Sequence, residues 1–168
     1  VTERGYFGGD GVYEVTRTFA GKLFRLDAHL ERLYRSLAYI RVDPGFDSEK
    51  MRTITNETLE RNLARLGPGD DFALWHLVTR RDPVNGNLDE MPATPIIAIF
   101  CVETDFSHQA DAYVHGLRLL TPSVRRTPPE SIDAKAKVLS RMNQIQAALE
   151  VGKNDSGAVP LLLDQDGN

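Results

Sequence analysis

The sequence predicts an α+β protein. Three observations carry that expectation. High β-propensity runs occupy Val12–Phe19, Phe72–Thr79 and Pro95–Val102. Two stretches with apolar residues at helical spacing separate the first run from the second. A proline-rich stretch, one more helical pattern and a short apolar run complete the chain, so strands and helices do not alternate as they would in a parallel α/β sheet.

In the first run Val12, Tyr13, Val15 and Phe19 stand with Thr16 and Thr18 between them. Ala20-Gly21 is a tight-turn signal, and Lys22 to Leu26 is expected to return as the second arm of a hairpin. Asp27 is the expected cap of the next helix, where Leu30, Leu33, Tyr34, Leu37 and Ile40 form one apolar face. Pro44-Gly45 ends that unit. Ser48 is the expected cap of a second helix, whose looser face is Met51, Ile54, Leu59, Leu63 and Leu66. Between the two strong strand runs, Pro83, Asn85-Gly86 and Pro92 mark an exposed loop. Leu117 to Leu120 reads as a third strand. Thr121 to Asp133, with Pro122, Pro128 and Pro129, reads as a linker between two domains. A helix from about Ser140 to Glu150 and a strand from Val159 to Leu163 follow.

The chain has 168 residues, 41% of them hydrophobic and 26% charged, with a net charge of −4. That is globular composition, with chain enough for a real core. A weakly acidic balance lacks the basic footprint of phosphate-backbone binding, so no nucleic-acid partner is expected. The longest apolar stretch, Pro95–Val102, is too short to span a membrane. One cysteine, Cys101, cannot close an internal disulfide, and four histidines with one thiol do not make a zinc ribbon. No metal is expected, and the location expected is cytoplasmic. Val1 runs soon into a strand pattern, and Asp164-Gln165-Asp166-Gly167-Asn168 is a turn signal, so the expectation is a part of a larger protein.

Several residues are candidates for chemistry. Gly8-Gly9-Asp10-Gly11 precedes a strand and does not open a helix, so it reads as a turn and not as a phosphate loop. His29, Arg32 and Ser36 share one edge of the first amphipathic helix. That stripe is either a solvated face or an anion site built from a guanidinium fork and a hydroxyl. Lys135 and Lys137 lie just before a helix start, where the dipole favours a neutral amine able to attack a carbonyl; the plain alternative is a pair of exposed lysines. Glu14 points to the opposite strand face from Tyr13 and Val15, and reads equally as an outer-face charge or a site residue. Tyr13 and Arg17 share sidedness and could line one cleft. His76, next to Trp75, reads as a satisfied or half-exposed strand histidine, and Cys101 as a small buried apolar residue.

Taken in order, these signals resemble a known family. Glu3-Arg4-Gly5-Tyr6, Gly9-Asp10-Gly11-Val12-Tyr13-Glu14-Val15, Gly21, Phe24-Arg25-Leu26, His29-Leu30-Glu31-Arg32-Leu33 and Ser36 are similar to the fold-type IV pyridoxal-phosphate enzymes. Lys137-Val138-Leu139-Ser140-Arg141-Met142, running to Glu150-Val151, resembles the family's lysine segment and following helix. Leu161-Leu162-Leu163-Asp164 and Gly167 resemble the strand and turn before its acidic motif. The family includes branched-chain and D-amino-acid aminotransferases, (R)-selective amine transaminases and aminodeoxychorismate lyase.

The resemblance implies a small N-terminal α+β domain at 1–120, a linker at 121–133, and from 134 to 168 the start of a larger cofactor-binding domain, only partly present. It implies that Lys137 forms a Schiff base with pyridoxal 5'-phosphate and moves the proton at the substrate Cα, with Lys135 as the fallback. It implies that Arg32 holds the cofactor phosphate and that Tyr13 and Arg17 contact substrate. The loop after Thr79-Arg80 offers Asn85 and Asn87 where D-amino-acid aminotransferases have an arginine and a histidine that trap the substrate carboxylate. The implied reaction is transamination between a branched-chain amino acid, a D-amino acid or an (R)-amine and a 2-keto acid. A lyase-type elimination and a homologue without the cofactor stay open as alternatives. A homodimer is also implied. The acidic partner of the pyridine nitrogen is expected past Asn168.

Overall fold

Alternation along one strand sets the architecture. The computed structural model describes residues 3–67, 69–81, 94–104, 107 and 110–168. In β1 (Gly11–Phe19), Val12, Glu14, Thr16 and Thr18 are buried on one face, and Tyr13, Val15 and Arg17 turn to the other. β1 pairs antiparallel with β2 (Lys22–Leu23) and β3 (Asp71–Thr79), and β3 with β4 (Ile96–Thr104), giving the order β2-β1-β3-β4. Phe72, Leu74, His76 and Val78 of β3 continue the buried face. Against it pack α2 (Leu26–Tyr39) and α3 (Ser48–Asn62), through a core of Val12, Leu26, Leu30, Leu33, Leu37, Val42, Met51 and Val78. A smaller cluster of Leu59, Phe72 and Leu74 extends it. A short helix, α1 (Arg4–Gly8), leads into β1 and ends on Gly9 in the left-handed region, φ 65°.

Local chemistry moves several boundaries from the expected ones. The second arm of the hairpin is only two residues long, because the Thr16 hydroxyl donates to the Phe24 carbonyl (2.8 Å) as the chain turns into α2. α2 is preceded by Arg25 in the left-handed region (φ 50°), so Asp27 lies inside the first turn and does not cap it. α3 is capped by Asp47, whose carboxylate accepts from Lys50 N (2.9 Å), and not by Ser48. The residues at 82–93, including Pro83, Asn85, Gly86, Asn87 and Pro92, lie outside the described residues.

The chain forms two compact units. Residues 1–105 with Ala136–Ser140 make the first, and 106–135 with 141–168 the second. The second holds α4 (Ala110–His115), β5 (Arg118–Leu120), α5 (Met142–Asn154) and β6 (Ala158–Pro160). β5 and β6 pair in parallel, and Leu161 N continues the ladder onto the Leu120 carbonyl (2.9 Å). The last strand is shorter than Val159–Leu163, and the helix starts at Met142 and runs past Glu150 to Asn154. The Glu150 carboxylate accepts from the Ser123 amide and hydroxyl, each at 2.7 Å, which ties α5 to the proline-rich stretch and holds the carboxyl below its usual range. Among the described residues no helix is long and apolar enough to cross a membrane.

Candidate functional site

Lys137 lies in the short segment that returns to the first unit and bridges the edge of β1. Val138 pairs antiparallel with Val12, Tyr13 N donates to the Lys137 carbonyl (3.0 Å), and Leu139 N donates to the Gly11 carbonyl (3.0 Å). This segment takes the part of the β1 edge that the short β2 leaves open. Gly11 is required here by the neighbouring strand: a Cβ would lie 2.6 Å from the Val78 carbonyl of β3, with Leu139 Cδ1 at 2.8 Å beside it. Val138 packs on the core, so the pleat turns Lys137 to the same sheet face as Tyr13. There Lys137 Nζ stands 4.2 Å from the centroid of the Tyr13 ring. A ring face attracts an ammonium without supplying a counter-charge. Among the described residues the amine has no carboxylate partner.

The stripe on α2 is real, but its three members do different things. Glu14, fully buried, is the centre of the cluster. Arg32 grips its carboxylate side-on, Nε to Oε2 at 2.6 Å and Nη2 to Oε1 at 2.7 Å. His29 Nδ1 lies 3.1 Å from Oε1, and Val15 N donates to the same oxygen at 2.9 Å. A carboxylate can only accept, so His29 carries its proton on Nδ1 here. Burial alone would push the Glu14 carboxyl up; the hydrogen bonds from Arg32, His29 and Val15 and the guanidinium charge outweigh it and hold the carboxyl below its usual range. The same pairing raises the Arg32 pKa. The buried Ser36 hydroxyl donates to the Arg32 carbonyl (2.9 Å) and accepts from Lys137 N (3.1 Å). It therefore joins the helix that carries Arg32 to the segment that carries Lys137.

On the other face of the sheet Tyr13 stacks on Trp75 at 5.8 Å between centroids and Trp75 on Phe100 at 6.3 Å, an aromatic row beside the lysine. Arg17 lies on that face four residues further along β1, with Nη2 3.5 Å from Asp71 Oδ2 and its guanidinium 3.9 Å over the Phe19 ring. Arg80 is held in place by Asp10, with Nε 3.0 Å from Oδ2, and by the carbonyls of Ile40 and Arg41.

The structure brings Lys137 and Tyr13 into contact and links Arg32 to Lys137 through Ser36. Arg17 is on the Tyr13 face but has its own partners. Lys135 is exposed in the second unit, with its N–H on Asp133 Oδ1 at 2.8 Å. Glu14 is not an outer-face charge: the face it shares with Val12 is the one the helices cover. His76, its partner in the β1–β3 register, is fully buried, with Nε2 2.8 Å from the Thr55 hydroxyl and Nδ1 without a partner among the described residues. Cys101 is half-buried, not buried. Sequence reasoning missed Glu14 as the partner of Arg32. The signal was available in its parity with Val12, Thr16 and Thr18 on the first strand.

Among the described residues, an amine without a counter-charge and a guanidinium whose Nη1 has no partner fit a phosphorylated carbonyl compound. Comparison with known proteins points the same way. The family model described as Amino-transferase class IV matches residues 11–168. A D-alanine aminotransferase from Listeria monocytogenes is 37% identical over 164 residues, covering 91% of this chain and 54% of that protein. A putative branched-chain-amino-acid aminotransferase from Methanocaldococcus jannaschii is 30% identical over 150 residues, covering 89% of this chain and 49% of that one. Among solved structures, the branched-chain aminotransferase from Thermoproteus uzoniensis with norvaline superposes with TM-score 0.83 at 25% identity, over 99% of this chain and 55% of that chain. A second branched-chain amino acid aminotransferase, solved with pyridoxamine 5'-phosphate, gives TM-score 0.77 at 27% identity, over 99% and 54%. The chain thus spans about half the length of these relatives.

Proposed function

This chain belongs to the class IV amino-transferase family, and from that premise we propose that the protein is a pyridoxal 5'-phosphate-dependent aminotransferase in which Lys137 bonds the cofactor. It moves an amino group between an amino acid and a 2-keto acid. The observation that carries this reading is the Lys137 amine, held 4.2 Å over the Tyr13 ring on a segment hydrogen-bonded to both β1 and α2.

The cofactor, when bound, supplies the electron sink for the substrate carbon. The rest belongs to the chain. The Tyr13 ring orients the Lys137 amine, which has no carboxylate partner among the described residues, so it can attack a carbonyl and later move the proton at the substrate Cα. Arg32 binds the phosphomonoester, where a planar fork suits a dianion. Tyr13 and Arg17, on one face of β1, are assigned to the substrate. A branched-chain or a D-amino acid is the donor class, supported by the names of the two curated relatives. A homodimer, implied by the family resemblance, and a cytoplasmic location, expected from the composition, complete the reading.

The test is borohydride reduction of the purified protein with pyridoxal phosphate, followed by peptide mass mapping. The expected result is a pyridoxyl adduct on Lys137. An adduct on Lys135 moves the role by two residues, and no adduct on either lysine overturns the reading.

A further inference from the structure

Arg32 has five N–H groups, and Glu14 takes only those on one side of the fork. Nε and Nη2 are spent on the carboxylate, at 2.6 and 2.7 Å. The end edge, formed by Nη1 and the second hydrogen of Nη2, meets no acceptor among the described residues, and the Arg32 side chain keeps 42% of its surface exposed. Its partner cannot follow it: Glu14 is fully buried on a strand paired with β3, and its carboxylate is also held by Val15 N and His29. A long side chain on a helix surface ordinarily samples many rotamers; this one is fixed in plane by a bidentate contact.

We infer that Glu14 is a positioning residue that fixes the Arg32 guanidinium with its end edge turned outward for the phosphate of the cofactor. Glu14 itself touches neither phosphate nor substrate. The inference rests on the reading of Arg32 as the phosphate-binding residue. It gives the buried carboxylate a role that neutralisation of Arg32 does not. Charge alone would make Glu14 a liability, since it cancels the attraction of Arg32 for a dianion; removing it would then tighten phosphate binding. Positioning predicts the opposite sign.

The test compares two probes on the purified full-length protein, pyridoxal 5'-phosphate and pyridoxal, which differ only in the phosphate. Dissociation constants are measured by calorimetry for the wild type, Glu14→Gln, Glu14→Asp and Arg32→Lys, with circular dichroism to establish folding. Glu14→Asp keeps the charge and retracts it by one methylene, so it remains informative where Glu14→Gln fails to fold. Both Glu14 variants are expected to weaken pyridoxal phosphate by about tenfold or more and to leave pyridoxal unchanged. In the Arg32→Lys background the Glu14→Gln change is expected to add little, because the group it positions is gone. Equal weakening of both probes, or unchanged or tighter phosphate binding, overturns the inference. If Arg32→Lys itself leaves pyridoxal phosphate affinity unchanged, the failure lies in the reading of Arg32.

Discussion

His76 is fully buried, and burial brings its pKa down to about 4. Thr55 gives its one hydroxyl hydrogen to the Met51 carbonyl (2.7 Å), so His76 Nε2 donates to Thr55 and the Nδ1 lone pair meets no donor among the described residues. A histidine held neutral in the folded state binds fewer protons than the unfolded chain between about pH 6.5 and 4, so stability falls as pH is lowered through that window. The full cost is on the order of 3 kcal/mol. His76→Met fills similar space without a titrating group and is expected to flatten the denaturation midpoint between pH 6.5 and 4; an unchanged slope counts against the buried neutral form. Glu14 acts lower on the scale. Its carboxyl is held below the usual range, so the stability it supplies is complete above the ordinary carboxylate range and is lost progressively as pH falls from there through the lowered value. Glu14 and His76 show a limit of residue-level reading: each looks unremarkable in sequence, and each matters because of what the opposite layer puts over it.

The elements owe their ends to single side chains. Asp47 satisfies the Lys50 amide at the start of α3, and its replacement by alanine is expected to cost about 1 kcal/mol in a denaturant titration. Asp27→Ala and Ser48→Ala, at the positions the sequence suggested as caps, should each cost clearly less. A result in which Ser48→Ala costs as much as Asp47→Ala would reverse the assignment. The periodicity that places α2 was fully legible: Leu30, Leu33 and Leu37 are buried as their spacing requires. The start of α2 was not, because a non-glycine residue in the left-handed region, Arg25 at φ 50°, leaves no trace in hydrophobic pattern. The two strong strand runs also emerged as β3 and β4, shifted by a residue or two where the register with β1 and β3 sets the ends.

At the scale of the molecule, the chain leaves the first unit after β4 and comes back to it for five residues, Ala136–Ser140. That return is held by two backbone bonds to β1 and by the Ser36 hydroxyl. In hydrogen-exchange mass spectrometry or NMR, the Tyr13, Lys137 and Leu139 amides are expected to exchange slowly and together, and Lys135 quickly. Ser36→Ala is expected to speed Lys137 most, since a buried N–H without its acceptor costs about 1–3 kcal/mol. Lys137 exchanging as fast as Lys135 in the wild type would mean that this segment is not bridged to β1 and α2. By itself the sequence determined the α+β class, the face of α2 that packs inward, the exclusion of an internal disulfide, and the family, because periodicity, residue counts and a spaced set of motifs are properties of the chain alone. Only the tertiary structure decided that Glu14 grips Arg32, that Ser36 joins Arg32 to Lys137, and that the Lys137 amine rests on the Tyr13 ring. These contacts span 18, 101 and 124 positions of chain, and which distant groups share a buried volume is fixed by how strands and helices pack, not by spacing along the sequence.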